Sequence, residues 1–220
     1  MRPLPAPTEL RAILWDLDGT LADSEPTHER SFMDAAQALG LTLPEDFHHQ
    51  LLGQSEEATH AILVREHGLS LDLAAWSARR HAAYLQRIGE VKAHPDAWVV
   101  LRLAARLGLA QAVVSNSPRA IVRANLAQIG LRLPERMVIS RDDVHSGKPD
   151  PEPYALALSR LDLAASVSVA VEDSASGGRA AAGAELPVCW MPQVTSDWPG
   201  WRLQHLRAGL EQALRIKACV

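Results

Sequence analysis

The 220-residue chain has few of several residue types: two cysteines, two phenylalanines, two tyrosines and three lysines. Cys189 and Cys219 are too few for a disulfide framework or a cysteine-built zinc site, and Cys189 sits in an apolar run expected in the core. No apolar run approaches the roughly 18 residues of a membrane-spanning helix, so no membrane partner is expected. Met1 to Arg11 carries three prolines and no apolar core of a signal peptide, and a reducing cytoplasm is the expected setting. There is no basic surplus: 22 Lys and Arg against 26 Asp and Glu give a net charge of −4, which argues against a nucleic-acid partner. Internal repeats and low-complexity segments are absent. None of the nine histidines has zinc-site spacing, and His48-His49 reads as a solvated pair. Hydrophobic residues make up 47% and charged residues 22%, the balance of a globular chain long enough for a substantial core. Oligomeric state is not legible.

The most informative stretch is Asp16 to Pro26, Asp-Leu-Asp-Gly-Thr-Leu-Ala-Asp-Ser-Glu-Pro. It follows Ala12-Ile13-Leu14-Trp15, an apolar run that reads as a short buried strand. Trp15 is expected to pack beside whatever site lies there. Carboxylates at i and i+2 of an extended chain point the same way, so Asp16 and Asp18 can converge just past the strand. That arrangement suits a hard cation with oxygen ligands. It also allows one acid to act as nucleophile and the other to move a proton. Gly19 permits a sharp turn and close approach of a ligand. An ordinary strand-to-loop exit has the same residue types, so the motif alone leaves both readings open.

Downstream, the spacing predicts helices over 25–40, Ser55–His67 and Ser70–Arg87, with a shorter one over 44–53. Residues 24–93 therefore read as helical with no strand. Beyond them strands and helices alternate. Helices are expected over Pro95–Leu107, Pro118–Ile129, Pro151–Leu161, Ala175–Ala184 and Leu203–Ala218. Strands are expected over Ala110–Ser115, Met137–Ser140, Val167–Val171 and Val188–Met191. Such alternation implies an α/β fold with a parallel sheet covered on both faces. The expected organisation is an α/β core of residues 1–23 and 94–220, with a helical block, 24–93, inserted after the first core strand.

In such sheets ligands bind at the carboxyl ends of the strands. Asp16 and Asp18, Ser115, and Glu172-Asp173 all fall at predicted carboxyl ends. Ser115-Asn116-Ser117-Pro118 leads into a helix, and hydroxyls and amides at a helix N-terminus make an anion site. A plain Ser117 N-cap is the alternative there; Pro118 fits the first helical position. Gly147-Lys148-Pro149-Asp150-Pro151-Glu152-Pro153 holds one of the three lysines in a proline-stiffened segment. A fixed ammonium there can neutralise phosphate charge. Glu172-Asp173 ends a buried strand in acids, which are rarely buried unless paired or on a metal. An N-cap role for Asp173 is the alternative.

These four constellations, in this order, resemble the haloacid dehalogenase superfamily, specifically its phosphatase and phosphomutase members. Asp16-Leu17-Asp18-Gly19-Thr20 looks like the first motif, Ser115 the second, Lys148 the third and Glu172-Asp173 the fourth. The helical block looks like that family's C1-type cap, and the likeness covers nearly the whole chain. It implies that Asp16 attacks the phosphoryl group and that Asp18 is the acid and base. It implies Mg²⁺ held by Asp16, the Asp18 backbone carbonyl and Asp173, with Glu172 a ligand or close behind. Ser115 and Lys148 would bind the transferring phosphoryl, and Asn116 would help through its backbone amide.

Asp18 argues against the dehalogenase branch and fits both phosphatases and sugar-phosphate mutases. The mutase pattern Gly-x-Ser-Arg is here Gly53-Gln54-Ser55-Glu56, and an acid is a poor phosphate clamp, although Arg79 or Arg80 offers a substitute. The resemblance therefore implies a Mg²⁺-dependent phosphatase of a small, sugar-type phosphorylated metabolite. A phosphosugar mutase is the alternative, and a non-catalytic binding module a third reading. Specificity is expected from Glu25, His28 and Gln54. At the second hinge, His94-Pro95-Asp96 departs from the Pro-Gly common in relatives.

Overall fold

The computed structural model describes residues 2–44, 47, 51, 56–194 and 198–218. The chain divides into two compact units, Met1–Asp23 with Ala93–Val220, and Ser24–Lys92.

The first unit is built on strands β1 (Ala12–Trp15), β4 (Ala110–Val114), β5 (Val138–Ile139), β6 (Ser168–Glu172), β7 (Val188–Trp190) and β8 (Trp201–Arg202). They form one sheet in the order β5-β4-β1-β6-β7-β8, with parallel pairings. β1 lies inside the sheet and all four of its residues are buried, as an unbroken apolar run requires when both faces are covered. Side chains alternate between the faces. Ala12 and Leu14 join Ala112, Val114 and Ala170 in a cluster with Tyr154, Ala157, Ala180 and Ala181. Those last four come from helices α6 (Glu152–Leu161) and α7 (Ala175–Gly183). Ile13 and Trp15 point to the opposite face. Trp15 Nε1 donates to Gln111 Oε1 at 3.0 Å, and Gln111 Nε2 donates to the Leu101 carbonyl in α4 (Pro95–Leu107). Helix α4 packs on β4 and on α8 (Leu203–Ala218).

The remaining helix of this unit, α5 (Arg119–Gln128), follows β4. Register is what positions the site. Trp15 lies level with Val113 and with Val171, so Asp16, Ser115 and Glu172 emerge along one edge of the sheet.

The second unit contains α1 (Glu25–Gln37), α2 (Glu56–His67) and α3 (Leu73–Gln86). Its core is Phe32, Ala35, Ala36, Phe47, Leu51, Leu63, Leu69 and Trp76, with Phe32 and Trp76 edge to face at 5.3 Å. Asp72 begins α3 by accepting from the Ala75 amide at 2.8 Å.

Several expected boundaries move. Lys92–Ala93 is a strand, β3, paired with β2 (Ala22–Asp23) in a two-stranded sheet, so 24–93 is not wholly helical. β8 was not anticipated. A two-residue strand carries too little alternation to be read from sequence. Helix α3 starts after Asp72 rather than at Ser70. Pro118 and Pro151 are N-caps rather than first helical residues. A proline φ fits either place; Pro118 has ψ 152°, outside the helical range, whereas Pro151, with ψ −12°, is helical in backbone and lies immediately before Glu152, the first residue of α6. The expected helix over 44–53 and the cap at Ser55 lie outside the described residues, apart from Phe47 and Leu51, which are buried.

Candidate active site

The site lies at the carboxyl ends of β1, β4 and β6. Asp16 follows β1 directly, and its amide donates to the Val171 carbonyl of β6 at 3.0 Å. The residue is only 7% exposed. Lys148 Nζ donates to Asp16 Oδ1 at 2.6 Å and to Glu172 Oε1 at 2.6 Å. Asp16 Oδ2 is buried with no hydrogen-bond partner among the described residues. Burial pushes the Asp16 carboxyl up to about 7, opposed by the Lys148 ammonium and reinforced by Glu172 and Asp18. Burial works against the Lys148 charge, but the Asp16 and Glu172 carboxylates outweigh it and hold the ammonium above the usual lysine range. The pair is asymmetric because the lysine gains from two anions at once, whereas the aspartate shares one cation.

Glu172, wholly buried, closes β6 and is fully engaged. Its Oε1 also accepts from Tyr154 Oη at 2.6 Å, and its Oε2 accepts from Ser174 Oγ at 3.3 Å. A Cβ on Gly177 would lie 1.9 Å from Glu172 Oε1, so only glycine leaves space for this carboxylate under the first turn of α7. Ser174, not Asp173, is the N-cap of α7, accepting from the Gly177 amide. Asp173 is half-buried and lies against Gly19, where a Cβ would come 2.0 Å from Asp173 Oδ2; Gly19 has φ +78°. Asp16, Glu172 and Asp173 each offer a carboxylate oxygen, all within 4.8 Å of one another. Hard oxygen donors with one partnerless buried oxygen among them fit a hard divalent cation.

Asp18, half-buried, turns its carboxylate to the β4 end. Ser115 Oγ donates to Oδ2 at 3.2 Å, Ser117 Oγ to Oδ2 at 2.8 Å, and Asn125 Nδ2 to Oδ1 at 2.9 Å. The Ser117 amide donates to Ser115 Oγ at 3.0 Å, which ties the loop together. Ser117 is thus a partner of Asp18 and not a helix cap. Asn116 holds the lysine segment from both sides: its Oδ1 accepts from the Lys148 amide at 2.7 Å, and its Nδ2 donates to the Lys148 carbonyl at 2.9 Å. Its side chain, rather than its backbone, is what the geometry singles out.

The structure therefore brings together Asp16, Asp18, Ser115, Asn116, Lys148, Glu172 and Asp173 from four separate segments. The side chains that could ligate a metal together are Asp16, Glu172 and Asp173, while the Asp18 carboxylate faces the two serines and the asparagine, which leaves its backbone carbonyl as the expected ligand. Ser117, Asn125, Tyr154 and Ser174 were not anticipated as parts of the site. Asn125 did carry a signal, being a polar residue in the buried α5 stripe Ile121, Val122, Asn125 and Leu126.

In the helical unit, Glu25 is exposed at the start of α1, and His28 stacks on Tyr84 with ring centroids 4.3 Å apart. Gln54 and His48-His49 lie outside the described residues. Arg80 is held by Glu56 Oε1 at 3.2 Å and lies over the Phe32 ring, 5.5 Å from its centroid. Cys189 is buried, and burial pushes its thiol up. No helix among the described residues is long and apolar enough to cross a membrane.

The sequence profile of the haloacid dehalogenase-like hydrolases matches residues 10–185. The chain is 28% identical over 178 residues to the phosphorylated carbohydrates phosphatase of Thermotoga maritima, covering 80% of this chain and 82% of that one. It is 31% identical over 171 residues to hexitol phosphatase A of Escherichia coli, covering 76% of each. Among solved structures, CbbY from Rhodobacter sphaeroides in complex with phosphate superposes with a TM-score of 0.80 at 28% identity, covering 92% of this chain and 99% of that one.

Proposed function

The chain belongs to the haloacid dehalogenase-like hydrolases and acts on phosphate esters, and from that premise we propose a Mg²⁺-dependent phosphatase of a small phosphorylated carbohydrate. The observation that carries the reading is the Lys148 ammonium shared between Asp16 and Glu172, beside a buried Asp16 oxygen with no hydrogen-bond partner among the described residues. Relatives named for phosphorylated carbohydrates and hexitol phosphates support the substrate class.

In this reading the Asp16 carboxylate attacks phosphorus, the bond from phosphorus to the sugar oxygen breaks, and Asp18 gives that oxygen its proton. An aspartyl-phosphate on Asp16 results. Asp18 then takes a proton from water, the water attacks phosphorus, and the bond to Asp16 breaks, returning both acids to their starting state. Ser115 and Lys148 hold the phosphoryl oxygens, and Asn116 keeps Lys148 in place. Asp16 and Asp173 would hold Mg²⁺, with Glu172 behind them steering Lys148. The cation supplies charge neutralisation between an anionic ester and an anionic nucleophile. Positioning and charge stabilisation carry most of phosphoryl-transfer catalysis.

The helical unit serves as the cap in this proposal, with Glu25, His28 and Gln54 selecting the substrate, in a cytoplasmic setting. A mutase needs a second phosphate clamp. Arg80 is engaged by Glu56 and Phe32, which favours hydrolysis over the mutase alternative. The test is a panel of sugar monophosphates assayed for phosphate release with Mg²⁺ and with EDTA. Mg²⁺-dependent release that disappears in Asp16→Asn is expected. Interconversion of sugar phosphates with little free phosphate would select the mutase, and no Mg²⁺-dependent turnover would sink both.

A further inference from the structure

We propose that Asn125 is a positioning residue that mounts Asp18 on helix α5, so that one carboxylate oxygen stays anchored while the other exchanges the proton. The inference rests on the acid/base role given to Asp18 above. Asn125 is wholly buried, in the middle of α5 and on the face it shares with Ile121, Val122 and Leu126. An amide there is costly on two counts: asparagine is a poorer helix former than leucine, and a buried amide loses water. An apolar side chain would suit the position better if packing were the only demand. What offsets the cost is the bond from Nδ2 to Asp18 Oδ1 at 2.9 Å.

The three donors on Asp18 are not equivalent. Ser115 and Ser117 lie in the loop after β4, and a hydroxyl rotates to suit whichever acceptor arrives. An incoming phosphoryl oxygen competes for both, and both act on Oδ2. The Asn125 NH₂ group only donates, and turning the amide over would set its carbonyl oxygen against a carboxylate. It also stands within a regular helix rather than in a loop. Oδ1 therefore remains fixed when the serines turn to substrate, and Oδ2 becomes the oxygen that exchanges a proton with the leaving group.

The test exploits leaving-group chemistry. A sugar alkoxide needs a proton to depart, whereas 4-nitrophenolate departs without one. The kcat/KM of wild type, Asn125→Leu, Asn125→Ser and Asp18→Asn is measured on 4-nitrophenyl phosphate and on the best sugar monophosphate of the panel. Asn125→Leu is expected to lose on the order of 10- to 100-fold on the sugar ester, through kcat, and less than about threefold on the aryl ester. Asn125→Ser, which restores a donor, is expected to lie between Leu and wild type. Equal losses on both esters, or none, in the Asn125 variants overturn the proposal while Asp18→Asn still discriminates. If Asp18→Asn itself loses equally on both, the acid role of Asp18 fails instead. Should Asn125→Leu not unfold cooperatively, Asn125→Ser carries the same comparison.

Discussion

Two strands of the sheet lead into pairs of acids, and one member of each pair, Glu172 and Asp16, is in the opposite condition to the other. At the end of β6, Glu172 has both oxygens occupied, by Lys148 and Tyr154 on one and Ser174 on the other, beneath a helix turn that only glycine permits. At the end of β1, Asp16 has one oxygen held by Lys148 and the other buried without a hydrogen-bond partner among the described residues, and Asp18 is held by groups two of which can rotate away. A buried carboxylate with a donor on each oxygen is committed to the scaffold in the resting state. A buried carboxylate with spare capacity costs folding free energy and is kept for something that arrives later. The comparison separates the acid that orients Lys148 from the acid expected to attack.

Substitutions can sharpen or break that contrast. The largest effect is expected from Asp16→Asn, which should lower phosphate release on the order of 10⁴-fold or more while thermal unfolding stays cooperative. Retained turnover would remove Asp16 as nucleophile. Glu172→Ala should behave in the opposite way. It leaves a buried ammonium with one partner fewer and orphans the Tyr154 hydroxyl, at a cost of about 3–5 kcal/mol read by denaturant unfolding. A loss of activity with unchanged stability would place Glu172 with Asp16 and erase the distinction.

Tyr154→Phe removes only the hydroxyl of the saturated pair and should cost about 1–3 kcal/mol. No change in stability would mean that this hydrogen bond to Glu172 is dispensable. The smallest effect concerns pH. The folded Asp16 carboxyl is raised from 3.8 to about 7, so the folded state keeps this proton to higher pH than the unfolded chain. Its contribution is full below the unfolded value and is lost as pH rises through about 7. In EDTA, wild type should lose stability relative to Asp16→Asn between those limits, and added Mg²⁺ should restore more of it to wild type. Parallel stability curves for the two proteins would show that ionisation of Asp16 is not penalised by folding.

Much of the architecture was legible because it rests on local period and punctuation. The unbroken apolar run of β1, the helix-strand alternation after Pro95 and the acids at strand ends are properties of neighbouring residues. The short strands β3 and β8 were not, because two residues hold no period. Ser174 rather than Asp173 caps α7, and Pro118 lies just outside α5; either residue type fits either role, and only backbone geometry chooses. Asn125 and Tyr154 escaped because each is a lone polar group on an apolar helix face, and the partner that explains it comes from a distant segment.

The sequence by itself determined the candidate site residues and their order along the chain: Asp16, Asp18, Ser115, Lys148, Glu172 and Asp173. Strand ends and turns are written locally, and a parallel sheet brings its carboxyl ends to one edge. Only the tertiary structure decided which carboxylate is filled and which is left open. That depends on Lys148, Tyr154 and Asn125 arriving from distant segments to within hydrogen-bond distance. Saturation of a buried acid is a count of neighbours in space, and no local pattern carries it.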